Sequence, residues 1–271
     1  MAERLTESEK RLLVLQKRRV QAHRLLPQLR LSGVAEAISF ARERKILMVW
    51  GRSSLPLLTE AVVGRLIRGS WMADPEVHRI HDLTKAVVDS LEFFEAPLIL
   101  GKGTLIHRAL GAAVERVASD RARVKRARAR LPASAIELLA AVEKRGAISA
   151  DEGGAPAQEL RKARLLLERE LLVVSHTIHA ERGRHVPVIE PWGFSTIARR
   201  FGRAAQRRTY EQAQDQLVMA ALRAAVVVAE REARRWFVFG PDAIDRLIAL
   251  HVVTRITAGR TSWLALTTES R

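Results

Sequence analysis

The amino-acid sequence predicts a mainly α protein with short β-hairpins, an α+β fold, and three observations carry that expectation. Apolar residues recur three and four apart through most of the chain, the spacing of one helix face. Glycine-containing turn signals between short apolar runs interrupt that pattern in three places. Hydrophobic residues make up 48% of the 271, enough for a packed core, so the charge sits on a folded body and not on a disordered tail.

In order, residues 5–19 predict a basic amphipathic helix, and Ser32 is placed to cap a second helix reaching Lys45, followed by the apolar run Ile46 to Val49. Residues 55–67 and 75–91 show helical spacing, with Asp74 and Pro75 as N-cap and first helical residue of the latter. Residues 93–100 and 104–108 predict two strands around Gly101-Lys102-Gly103. A helix over 109–118 leads into a cationic run, 121–130, which Pro132 ends. Ser134 to Arg145 predicts a helix stopped by Gly146; 151–154 is a loop and 156–170 another helix. A second hairpin pairs 171–178 with 186–190 around Arg182-Gly183-Arg184. The tail predicts helices over 210–229, 230–236 and 241–250, then a third hairpin, 252–257 with 261–267, tipped by Gly259 and Arg260. Leu167 to Val174 and Leu247 to Val253 align as a weak internal repeat.

A helix feeding a hairpin with a glycine-and-cation tip, after one or two shorter helices, is the element order of a winged helix, and it occurs three times. The expected division is a basic helix over 1–30, a winged-helix-like unit over 31–120, a basic linker helix over 121–131, and winged-helix units over 132–198 and 199–271. An ordinary small helix-plus-hairpin domain shares that order, so charge must decide between them.

Lys and Arg number 46 against 30 Asp and Glu, a formal charge of +16, which points to a polyanionic partner. The chain has no cysteine, which excludes disulfides and thiolate-bound zinc and suits a reducing cytoplasm, the expected location. Residues 1–19 lack the apolar stretch of a signal peptide, and the most apolar segment, 217–229, is short and interrupted by Arg223; no membrane role is expected. Aromatic residues are 5%, which favours duplex over stacked single strands.

Short motifs point the same way. The run Leu55-Pro56-Leu57-Leu58-Thr59-Glu60-Ala61-Val62-Val63-Gly64, then Arg68-Gly69-Ser70-Trp71, the strand pair over 98–108 with His107-Arg108, and Arg234-Arg235-Trp236-Phe237 are similar to the tandem winged-helix proteins related to the AlkZ/YcaQ DNA glycosylases. The resemblance implies three winged helices forming a concave DNA-binding surface. Its glycosylase branches carry Gln-x-Asp or Gln-x-Gln near the N-terminus, where this chain has Ser32-Gly-Val-Ala-Glu-Ala-Ile38. Gln-x-Gln occurs over 212–216, on a helix where residues two apart diverge; it reads as helix surface.

Candidate contacts with nucleic acid are the cations of the run (Arg121, Arg123, Lys125, Arg126, Arg128, Arg130), those facing out from the helix before the second hairpin (Arg161, Lys162, Arg164), a second cluster (Arg199, Arg200, Arg203, Arg207, Arg208) and the hairpin tips (Arg182, Arg184, Arg260). Solvated faces usually mix signs, whereas these do not. Asp242 and Asp245 make the last helix a poor approach to phosphates, so the third unit reads as a structural or dimerising copy and the second as the better DNA reader. His78, His81 and Asp82 lack further ligands, and His176 and His179 fall on opposite strand faces, so no metal and no cofactor is expected. Signatures of common hydrolases and phosphate-binding loops are missing.

The leading expectation is therefore non-catalytic binding of double-stranded DNA. A diverged repair glycosylase and an RNA-binding or structural interaction protein are the alternatives.

Overall fold

The computed structural model describes residues 5–149, 157–179 and 185–269. Helix α1 (Glu7–Ala22) opens with a reciprocal cap between Thr6 and Glu9. After it, one order of elements occurs three times: a helix, a short strand, one or two helices, then a hairpin. The first copy is α2 (Val34–Arg44), β1 (Ile46–Met48), α3 (Leu58–Val63), α4 (Val77–Asp89), β2 (Phe93–Ile99) and β3 (Lys102–His107). Helices α5 (Gly111–Ala118) and α6 (Arg121–Arg128) follow. The second copy is α7 (Ala133–Arg145), β4 (Ile148–Ser149), α8 (Ala157–Arg169), β5 (Val173–His179) and β6 (His185–Pro191), with α9 (Thr196–Ala205) after it. The third is α10 (Tyr210–Ala225), β7 (Val228–Ala229), α11 (Glu230–Trp236), α12 (Gly240–Ala249), β8 (Val253–Ala258) and β9 (Thr261–Leu266). Each copy makes a three-stranded sheet with the last strand central: β1-β3-β2, β4-β6-β5 and β7-β9-β8.

The copies also share their joints. Two residues past α4, α8 and α12, Leu91, Leu171 and His251 adopt left-handed φ of 58°, 49° and 56°, and the hairpin begins two residues later. A non-glycine residue there costs about 1–2 kcal/mol. The bend is fixed because it lets the following amide reach a helix-end carbonyl: Leu172 N–H donates to Leu167 O and Val252 N–H to Leu247 O, both at 3.0 Å. Each hairpin is then closed at the same place, by Arg108 on Glu92, Trp192 on Leu172 and Thr267 on Val252.

By contact density the residues form two compact units. The first comprises residues 1–95, 104–110 and 214–271, with the first copy apart from residues 96–103 and the third copy from Gln214 onward. Phe40, Leu47, Leu58, Ile80 and Leu105 are among the buried side chains of its first-copy core. Leu12 and Leu15 of α1 pack with Val227, Ile256 and Ala265 of the third copy. His23, capping α1, is buried, and its Nε2 lies 3.0 Å from Ala224 O. Burial, then the neighbouring Arg19 charge, hold His23 down to about 3, so the ring is neutral.

The second unit comprises residues 96–103 and 111–213. Leu139, Val142, Leu160, Leu167, Val173 and Ile189 form its core, joined by Ala127 from α6. The buried indole of Trp192 donates to the buried Glu115 carboxylate at 2.7 Å. Helix α9 rests on α5.

Several expectations are corrected in detail. Ser32 does not cap α2; Gly33 occupies that position, while the Ser32 amide and hydroxyl donate to the Glu36 carboxylate. Helix α4 begins at Val77, because Asp74 is held by Arg65 and by the Glu76 amide in a turn ahead of it. The helix expected over 55–67 shrinks to α3, ended by left-handed Gly64. The helix expected over 210–229 stops at Ala225, since Val226 turns left-handed into β7. The first hairpin turns at Leu100 and Gly101, both with positive φ, the pattern of a type I′ turn. The loop at 151–154 lies outside the described residues.

Candidate nucleic-acid interface

The 121–130 run folds as α6 plus one turn. Asp120 caps it by accepting the Arg123 amide at 2.9 Å. A helix this short leaves an apolar strip of Val124 and Ala127 inward, and the cations flank it. Arg121, Lys125, Arg126, Arg128 and Arg130 are exposed. Arg128 is paired with Glu143, whereas among the described residues Arg121, Lys125, Arg126 and Arg130 have no carboxylate partner.

Arg123 is a correction. It is only 5% exposed, and its guanidinium donates to the carbonyls of Ala118, Glu170 and Leu171. Those last two carbonyls lie at the left-handed joint after α8, so Arg123 ties α6 to that bend and is not free to meet a ligand.

On α8, Arg161 and Lys162 are exposed. Arg164 is half-buried 3.9 Å from the Glu168 carboxylate, which burial pushes up and to which Ser175 donates. Its charge is thereby partly engaged within the unit.

Residues 199–208, expected only as a charged lead-in, mostly belong to helix α9. Ser195 caps it, accepting the Ala198 amide at 3.1 Å. Ile197 and Ala205 are buried, and Phe201 meets Gly111 of α5 so closely that an added Cβ there would lie 2.4 Å from the ring. That approach fixes the opposite face outward: Arg199, Arg200, Arg203 and Arg207 are exposed, with no carboxylate partner among the described residues. Arg200 lies 5.4 Å over the Phe201 ring. Arg208 is half-buried, its carbonyl accepting from Arg116. The alternating charge pattern that marks most solvated helices is absent from this one.

Arg260 is exposed at the third hairpin's tip, where Gly259 takes φ 57° as the first residue of a two-residue turn. Arg182 and Arg184 lie outside the described residues.

Cations of the first unit are often engaged differently. Arg42 forks onto Glu92, Arg246 onto Asp215, and Arg234 bridges Glu230 and Asp245. Arg255 joins Glu230 at 2.7 Å, and these two arginines, Arg255 foremost, hold that carboxyl below its usual range. On α12 the Arg246 charge is therefore spent inside the fold, and Asp242 and Asp245 remain on its surface.

The Gln-x-Gln segment is corrected in part. Gln212 is exposed and caps α10 reciprocally with Thr209, but Gln214 is buried and accepts from Arg246 at 3.2 Å. Glu230 and Glu232 diverge: the latter accepts from Ser53, Ser54 and Trp236. His81 Nδ1 lies 3.4 Å from the Asp82 carboxylate, both exposed, and no group of three or more His, Cys, Asp or Glu among the described residues could hold a metal ion. No described helix is long and apolar enough to cross a membrane.

Fold and surface thus define an α+β protein of three like-ordered copies whose second unit carries rows of exposed cations, most of them without a carboxylate partner among the described residues. No family model matches the chain, and no curated protein does. Among solved structures it is similar to the Streptomyces sahachiroi DNA glycosylase AlkZ, with a TM-score of 0.48 and 14% identity over 94% of this chain and 70% of that one. Similarity at this level assigns no activity to the present chain.

Proposed function

We propose that this protein binds duplex DNA through its second unit, each copy being a winged helix whose hairpin serves as the wing. Winged helices share the observed order of helix, strand, helices and hairpin, with the last strand central. The observation that carries the reading is the set of exposed cations on and just after α6 (Arg121, Lys125, Arg126, Arg130) and α9 (Arg199, Arg200, Arg203, Arg207), in one compact unit, which have no carboxylate partner among the described residues. Unneutralised rows of this kind lose little when counterions are traded for phosphates, and they repel one another until such a trade is made. Helix α8 adds the exposed Arg161 and Lys162 to the same unit. Helix α12, with its arginine committed to Asp215, suits a structural role.

Replacing Arg121, Lys125, Arg126 and Arg130 together with Ala is expected to weaken binding to unrelated 20-bp duplexes about tenfold or more, with thermal unfolding unchanged. Fluorescence anisotropy measures it, and unchanged affinity would remove α6 from the interface. Tighter binding of the wild-type protein to a structured RNA at equal salt would replace DNA with RNA. Release of base from an alkylated duplex would add base excision to binding.

A further inference from the structure

Helix α9 permits a more specific statement, which rests on the duplex-binding reading. At about 100° per residue, Arg199, Arg203 and Arg207 follow one another four residues apart, and Arg200 falls beside them, so all four occupy roughly a 100° sector. Ile197, Phe201 and Ala205 lie on the other side, against α5. The arginine row rises about 12 Å from first to last, the length of about three to four base-pair steps measured along a duplex axis.

A helix that reads bases in the major groove does so with residues of its first turns. Here the first turn offers Thr196, Ile197 and Ala198: Ile197 is buried and the Thr196 hydroxyl is within 3.4 Å of the Arg199 guanidinium. The arginines begin only at the fourth helical position and continue past the helix end. No carboxylate shares their face, and the exposed Gln206 beside them caps the C-terminal end of the helix, far from its first turns. From this arrangement we infer that α9 lies along a duplex and tracks the phosphates of one strand, supplying affinity without choosing sequence.

The test compares the full-length protein with R199A/R203A/R207A and R199K/R203K/R207K on two unrelated 20-bp duplexes across a salt series. The alanine variant is expected to weaken binding to both duplexes by the same factor, about tenfold to a hundredfold, and to make the log–log salt slope shallower by about 2 to 3. The lysine variant is expected to keep the slope, because phosphate tracking needs charge and not the bidentate fork that reads guanine. It also guards against misfolding as the cause of loss. The inference is overturned if the alanine variant keeps the wild-type slope, if the loss is confined to one sequence, or if lysine is as damaging as alanine. Wild-type protein that binds neither duplex would overturn the duplex reading itself, and this inference with it.

Discussion

At the residue scale, two buried cationic or titratable side chains do structural work that their chemistry would not suggest. Arg123 stands in the middle of the most basic run of the chain, yet it is desolvated and serves three backbone carbonyls. Its burial was not legible in the sequence, because two of its three acceptors, the carbonyls of Glu170 and Leu171, lie at a left-handed bend some fifty residues further on. Five of the six cations in that run are exposed as their composition suggests. His23 is the second case. Its folded value of about 3 against 6.5 means that unfolded chains take up a proton on acidification that the folded chain refuses. Stability from this group is therefore full above pH 6.5 and falls as pH drops toward 3, by up to about 1.4 kcal/mol per unit. Urea unfolding at pH 7 and pH 5 is expected to show the wild-type protein losing about 2 kcal/mol more than H23Q, whose amide keeps a donor for Ala224 O. Equal losses would show that the ring is protonated in the folded state.

At the element scale, α9 is positioned by one close approach. An added methyl at Gly111 would meet the Phe201 ring at 2.4 Å, so Gly111→Ala must displace α9 or its aromatic anchor. The substitution is expected to cost about 1–3 kcal/mol and to weaken duplex binding. Beside F201A it is expected to cost much less, and a thermal-unfolding double-mutant cycle measures the difference. Equal costs in both backgrounds would mean that this contact does not place the helix. Elements with strong local signals were legible beforehand: the strands of the second and third hairpins match expectation to within a residue or two, and α11 matches over 230–236. Helix α9 was not, because three arginines among its ten residues and two more just beyond it hide the apolar triplet Ile197, Phe201 and Ala205. The type I′ turn at Leu100 and Gly101 was also missed, since a leucine with positive φ has no sequence signature.

At the scale of the whole molecule, the net charge of +16 alone says only that a polyanion is a suitable partner. Pairing shows where part of that charge is neutralised inside the fold. Carboxylates consume Arg42, Arg234, Arg246 and Arg255 within the first unit, whereas among the described residues Arg121, Lys125, Arg126, Arg130, Arg199, Arg200, Arg203 and Arg207 of the second unit have no carboxylate partner. Such pairing could not be read from sequence, because Arg42 meets a partner fifty residues away and Arg246 one thirty-one residues away. The threefold recurrence of the left-handed joint shows how one fold can be kept in all three copies while their surfaces diverge in charge. The most direct test is the salt dependence of duplex binding by the unmodified protein, read as log K against log salt between 50 and 200 mM. About six phosphate contacts give a straight line of slope near −5. A slope near zero would contradict binding through the unpaired cations.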